Sequence, residues 1–170
     1  MIYQESSVGK TSLIKQYAKN EFKESYSATI GAEFLSKKLL INDQEVSLQL
    51  VDTAGQERYQ AIQQMFYRGA DGCVIVYDLT NSDSFEAVGS WRKVFFDASG
   101  VEPKEFPLIV IGNKSDLVDK RRVSREKIAR WCRENGELLH FEASAKTASN
   151  VADVFETIAK KAAEKHKGRL

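Results

Sequence analysis

The sequence predicts an α/β fold in which helices cover both faces of a parallel sheet. Two short, continuous apolar runs, at 72–78 and 108–112, are typical of strands that are buried on both faces. Helical patterns follow these runs, at 82–98 and 124–134. Because strands and helices alternate, the connections are expected to be right-handed crossovers between parallel strands.

The first third of the chain contributes a helix and a hairpin. A helical pattern covers 11–19, and strand patterns follow it at 34–41 and 46–51. Asn42 and Asp43 separate the two strand segments, and both residue types favour a tight turn. We therefore expect a β-hairpin at this position.

The last third of the chain completes the alternation. A moderately apolar segment at 138–143 predicts a strand, and the pattern at 150–163 predicts a helix with one apolar stripe. Asn150 is a candidate cap for the start of that helix. With no repeat, linker or low-complexity run, residues 1–170 are expected to form a single domain.

Composition excludes several classes of protein. Apolar residues make up 42% and charged residues 29% of the chain, as in folded, soluble proteins. The 25 Lys+Arg and 24 Asp+Glu leave a net charge of +1, which argues against binding nucleic acid by bulk electrostatics. Cys73 and Cys132 lack metal-binding spacing, so a reducing, cytoplasmic compartment is expected. No apolar stretch approaches the length of a membrane span, and no signal-peptide pattern follows Met1.

Gly9, Lys10 and Thr11 open the first predicted helix and are typical of a phosphate-binding loop. In such a loop the helix N-terminus holds phosphates, the lysine reaches the β- and γ-phosphates, and the hydroxyl coordinates Mg²⁺. The full pattern requires glycine five residues before Gly9, where this chain has Gln4. An ordinary polar helix start explains the isolated triplet equally well.

Asp52 ends a predicted strand and begins a second candidate motif. Its carboxylate is suited to holding Mg²⁺, and Gly55 lets the backbone approach a phosphate closely. Gln56 is placed to orient a water for in-line attack. Thr29, in a polar loop upstream, offers a second hydroxyl ligand. Together these residues predict a cage for magnesium and a γ-phosphate.

Asn113, Lys114 and Asp116 follow a buried strand and predict a site for a purine base. The Asp116 carboxylate matches the two N–H donors on one edge of guanine, whereas adenine would leave it unpaired, a mismatch that discriminates by about 10⁴-fold. After the last strand, the N–H of Ala145 is expected to donate to guanine O6, and the stem of Lys146 to pack on the base. An Asx-type turn is the alternative explanation of the first motif.

These motifs resemble, in type and in order, those of the Ras-like small GTPases. The stretches 28–34, 56–59 and 66–71 are similar to the Rab branch of that family. The connection at 98–107, with Trp131 and Cys132, resembles the Rab subgroup of late endosomes and lysosomes.

The resemblance implies a three-layer P-loop NTPase (Ras-like) fold, with a six-stranded, mostly parallel sheet and five helices. It also implies a slow GTP hydrolase that cycles between GTP-bound and GDP-bound forms. The expected nucleotide contacts are Ser6, Ser7, Val8, Gly9, Lys10, Thr11, Ser12, Phe22, Thr29, Gly55, Asn113, Lys114, Asp116, Ser144, Ala145 and Lys146. The expected catalytic residues are Gln56 and Lys10, and the expected Mg²⁺ ligands are Thr11, Thr29 and Asp52.

The same resemblance implies regulatory partners. Switch I would span 21–33 and switch II 53–70, and an exchange factor, a GTPase-activating protein and effectors would bind through 21–34 and 51–70. The chain is expected to be a cytoplasmic monomer that does not bind nucleic acid. Peripheral attachment to endosomal or lysosomal membranes would require a prenylated tail beyond Leu170.

Three departures from the family pattern bear on function. Only three residues precede the phosphate loop, where the family has a complete strand, and Gln4 and Ser7 replace glycines. A truncated start explains the short strand and Gln4 better than a specialised variant does. Val51 replaces the usual tryptophan of an apolar effector patch that includes Phe34 and Phe66. The alternative functions are a nucleotide-binding scaffold with little or no hydrolysis and an ATP-using enzyme, the latter disfavoured by Asp116.

Overall fold

A computed structural model describes residues 2–3, 7–25, 29, 32–53 and 65–167. Its strands are β1 (Ile2–Tyr3), β2 (Ala32–Ile41), β3 (Gln44–Thr53), β4 (Cys73–Asp78), β5 (Leu108–Asn113) and β6 (Leu139–Glu142). They form one sheet of six strands in the order β2–β3–β1–β4–β5–β6. The β2–β3 pair is antiparallel and the other recorded pairs are parallel, which confirms the predicted class of sheet.

Five helices within the described ranges connect the strands: α1 (Lys10–Lys19), α2 (Ser82–Glu86), α3 (Val88–Ser99), α4 (Arg125–Glu134) and α5 (Val151–Lys167). Residues 65–67 are also helical. The single helix predicted at 82–98 is thus two helices that meet at Ala87, where ψ is −14° instead of the usual helical value near −42°. The side chain of Asn81 caps the first of the two by accepting from the N–H groups of Asp83 and Ser84.

The apolar core lies in two layers, one on each face of the sheet. Side chains along the central strands alternate between the layers: Val74 and Val76 face α1 and α5, whereas Ile75 and Tyr77 face α3 and α4. All six residues of β4 are buried. Burial on both faces explains why the central strands are continuous apolar runs.

The predicted hairpin is confirmed. Asn42 and Asp43 both have positive φ, at 49° and 61°, as a tight turn between twisted strands requires. The ladder of β2 and β3 extends from the Ile41–Gln44 pair to the Ala32–Thr53 pair.

Strand β1 is short but central, as the resemblance implied. Ile2 pairs with both Asp52 and Val74, so β1 joins the hairpin to the rest of the sheet. Its direction is parallel to β3 and β4, and the chain therefore leaves it at the same edge of the sheet where those strands end. Within the described ranges no helix is long and apolar enough to cross a bilayer.

Candidate nucleotide site

The candidate site is built from loops that follow the carboxyl ends of parallel strands. These ends lie at one edge of the sheet, where open α/β folds bind ligands. Residues 7–9 follow β1, Asp52 lies at the end of β3, 114–116 follow β5 and 144–146 follow β6. The fold thereby gathers the motifs that the sequence separates.

The phosphate loop enters α1 through two residues in the left-handed region. Ser7 has φ 75° and Gly9 has φ 94°. At Gly9 a Cβ atom would lie 2.3 Å from Asn113 Nδ2, so this position requires glycine. Among the described residues no side-chain hydrogen bond caps α1, and its first N–H groups form the kind of helix N-terminus that binds anions.

Asn113 ties the two ends of the site together. Its Nδ2 donates to the carbonyl oxygen of Val8 at 2.9 Å, and its Oδ1 accepts from the N–H of Ala145 at 3.2 Å. The side chain is buried. The Ala145 N–H that was expected to face guanine O6 is therefore directed at Asn113 here, and Asn113 fixes the spacing between the phosphate loop and the base loops.

The three predicted magnesium ligands lie together. The Thr11 Oγ1 atom is 2.8 Å from Thr29 Oγ1 and donates a short hydrogen bond to Asp52 Oδ2. Asp52 is fully buried, and its Oδ1 atom has no hydrogen-bond partner within the part of the chain that the structure describes. Buried acceptors are rarely left unpaired, and two hydroxyls beside a carboxylate are oxygen donors of the type that Mg²⁺ prefers. The donor set therefore fits this ion.

Burial is the largest influence on the pKa of the Asp52 carboxyl and raises it. The hydrogen bond from Thr11 and the charge of Lys10 oppose that shift only in part. Lys10, the predicted phosphate ligand, is itself buried at the start of α1. A cation at this position would favour the ionised form of Asp52.

The carboxylate predicted to recognise the base is oriented by the last loop. Asp116 Oδ1 accepts from the Ser144 hydroxyl at 2.6 Å, and the same hydroxyl oxygen accepts from the N–H of Thr147 at 3.1 Å. Ser144 is fully buried. The two predicted base motifs are therefore one hydrogen-bonded unit.

Both lysines of the base motifs are paired with carboxylates. Lys114 Nζ lies 2.5 Å from Asp78 Oδ2, and Lys146 Nζ lies 2.7 Å from Glu24 Oε1. The hydrogen bond from Lys146 lowers the pKa of Glu24, and the reciprocal bond raises the pKa of Lys146. Sequence reasoning missed Asp78 and Glu24. The position of Asp78 at the carboxyl end of β4 was the signal that could have revealed it.

The remaining predicted residues are distributed as follows. Phe22 is half-buried against the core layer that contains α1, and Ser12 is half-buried on α1. Phe34 is 55% exposed and meets the Phe66 ring edge-on, with centroids 5.2 Å apart. Val51 pairs with Phe34 across the hairpin. Ser6, Gly55 and Gln56 lie outside the described residues, as do residues 54–64 of predicted switch II.

The sequence matches the Ras family over residues 1–164. The chain belongs to the Ras family. It is 52% identical over 166 residues to the Ypt/Rab-type GTPase ypt7 of Schizosaccharomyces pombe, an alignment that covers 96% of this chain and 81% of the relative. Ras-related protein Rab-7a of Paramecium octaurelia is 46% identical, with 98% of this chain and 82% of the relative covered. Rab-7a of Dictyostelium discoideum is 48% identical, with 95% and 80% covered.

These relatives confirm the Rab branch and the late-endosomal Rab7 subgroup. This Ras-family chain is therefore a guanine-nucleotide-binding GTP hydrolase that regulates endosomal or vacuolar membrane traffic, and its family works with exchange factors, activating proteins and effectors. The relatives give no support to a scaffold that has lost hydrolysis.

Proposed function

We propose that the chain hydrolyses GTP with Mg²⁺ held by Thr11, Thr29 and Asp52. The observation that carries this proposal is the convergence of three side chains that are far apart in sequence. The Thr11 hydroxyl contacts both Thr29 Oγ1 and Asp52 Oδ2, and the other oxygen of this buried carboxylate has no hydrogen-bond partner among the described residues. Mg²⁺, when bound, supplies positive charge beside the β- and γ-phosphates. Lys10, at the N-terminus of α1, adds a second charge that lowers the barrier to phosphoryl transfer.

The base end supplies selectivity for guanine. Asp116, held by the Ser144 hydroxyl, accepts from the N1–H and the exocyclic amine of the base. Lys114 and Lys146 pack their stems against the ring system, and Phe22 meets its edge. Asn113 sets the distance between the base loops and the phosphate loop through its bonds to Val8 and Ala145.

Partner proteins read the nucleotide state through 21–34 and 51–70. Thr29 links switch I to Thr11, so loss of the γ-phosphate would release this link and let the switches relax. Phe34, with Phe66 and Val51, offers an apolar surface to effectors. The chain acts as a monomer, and a prenylated tail beyond Leu170 is the expected means of attachment to membranes.

The test of hydrolysis is a single-turnover assay with and without a GTPase-activating protein. Gln56→Leu removes the group expected to orient the attacking water, and we expect the stimulated rate to fall by about 10²-fold or more. Gln49→Leu, at an exposed position on β3, is the matched control and keeps the rate. An unchanged stimulated rate in Gln56→Leu would remove Gln56 from the mechanism.

A further inference from the structure

Asp78 is a buried carboxylate at the edge of the sheet that carries the candidate site. It is the last residue of β4, and only 6% of its surface is exposed. Its Oδ2 atom lies 2.5 Å from Lys114 Nζ. Its Oδ1 atom accepts two hydrogen bonds from Thr80, from the backbone N–H at 2.8 Å and from the hydroxyl at 2.7 Å. A buried carboxylate with this many donors is held in one orientation.

The backbone of Asp78 is fixed as firmly as its side chain. Its N–H donates to the Ser84 hydroxyl at 3.0 Å, and its carbonyl oxygen accepts from the N–H of Asn81, the residue that caps α2, at 3.0 Å. Ser84 is fully buried in α2. The helix that follows β4 therefore anchors the backbone of Asp78, and Thr80 and Lys114 hold its carboxylate.

Lys114 reaches Asp78 from the neighbouring strand. Asp78 pairs in register with Asn113, the last residue of β5. The backbone of Lys114 therefore lies just past the end of β5, and its ammonium group lies at the end of the neighbouring strand β4. Its backbone has φ 66°, which starts the turn after the strand. A lysine without such an anchor extends its ammonium group into water. The pair instead lays the alkyl stem of Lys114 along the carboxyl edge of the sheet.

We infer that Asp78 is a positioning residue of the guanine site, which acts by holding the stem of Lys114 where the base packs. This inference rests on the proposed role of Lys114 in nucleotide binding. Asp78 acts through Lys114 and is not expected to contact the nucleotide itself. We do not assign the same positioning role to Glu24, which pairs with Lys146. Both of these side chains are more than half exposed, so water screens the attraction between them.

The test measures how fast fluorescently labelled GDP dissociates from the full chain. The chain is first loaded with the labelled GDP, and excess unlabelled GDP is then added to prevent rebinding. Asp78→Asn keeps the shape of the side chain and an acceptor for Thr80 but removes the charge that holds Lys114. We expect dissociation to become about tenfold faster. Asp78→Glu, which restores the charge on a longer stem, should bring the rate back towards that of the unsubstituted chain.

A double-mutant cycle separates positioning from a general loss of structure. In the background of Lys114→Met, which has no ammonium group, Asp78→Asn should change the dissociation rate by less than about twofold. Thr80→Val removes one of the bonds that orient Asp78 and leaves the ion pair, so it should accelerate dissociation by less than Asp78→Asn does.

Two results overturn the inference alone. One is an unchanged rate in Asp78→Asn when Lys114→Met accelerates release; the other is an equal acceleration by Asp78→Asn in both backgrounds. An unchanged rate in Lys114→Met overturns the inference together with the proposed role of Lys114.

Discussion

Ser7 carries a backbone conformation that glycine adopts more easily. Its φ of 75° lies in the left-handed region, which costs an L-residue about 1–2 kcal/mol relative to glycine, although glycine loses more chain entropy on folding. The serine is exposed, so its side chain contributes little packing. The strain lies in the loop expected to hold the phosphates.

We expect Ser7→Gly to raise the free energy of unfolding by about 0.5–1 kcal/mol, because the relief of strain exceeds the entropy that glycine loses. Urea unfolding of the GDP-loaded chain measures the change. Ser149→Gly, at an exposed position without positive φ, is the control and should lower the stability instead. Equal destabilisation by both substitutions would show that the backbone of Ser7 carries no strain.

Individual site residues could be predicted where the residue type and its position relative to a predicted strand were enough to indicate a role. Asp52, Asn113 and Asp116 lie at or just after the ends of predicted strands, and the sequence pattern shows this placement. The sequence pattern does not show which residues they contact. The bond from Asn113 to the carbonyl of Val8 joins residues 105 positions apart, and only the assembled sheet brings them together. The same holds for Asp78 and Lys114.

At the scale of elements, the strands were predictable and their ends were not. Strand β2 begins at Ala32 instead of 34 because Thr53 is available to pair with it. Helix α5 continues to Lys167, past the predicted end at 163. The ammonium group of Lys165 lies over the Phe106 ring, 4.9 Å from its centroid, and this contact supports the extra turn. Contacts with residues that are distant in sequence therefore set these ends, and the local sequence pattern does not contain them.

Gly112 in β5 shows how one element constrains its neighbours. A Cβ at this position would lie 2.7 Å from the Tyr77 hydroxyl oxygen and 2.9 Å from Leu79 Cδ2. The Tyr77 ring is fully buried, and its hydroxyl is held by His140 Nε2 at 2.8 Å. The ring therefore crosses β5 to reach β6 only because residue 112 is glycine.

We expect Gly112→Ala to lower the free energy of unfolding by about 1–3 kcal/mol, because the buried ring cannot move away from the added methyl group. Urea unfolding of the GDP-loaded chain provides the measurement. Gly69→Ala is the matched control: a Cβ there meets no described residue within 4 Å, and its φ is not in the left-handed region. Equal stability of the two variants would contradict the packing argument.

For the whole molecule, the sequence supports the layered architecture, whereas the place of β1 came from resemblance. The apolar runs at β4 and β5 predict a sheet that is covered on both faces. A strand with one face in water would instead alternate between apolar and polar residues. Three residues before the phosphate loop carry no such pattern. The central position of Ile2 depends on its pairing with both Asp52 and Val74.

We propose that one site holds a guanine nucleotide by its phosphates and by its base. The most direct test is to denature the purified chain and identify the released nucleotide by chromatography and mass spectrometry. We expect GDP or GTP at about one molecule per chain, with Asp116→Asn shifting the preference towards xanthine nucleotides. Release of an adenine nucleotide, or of none, would contradict it.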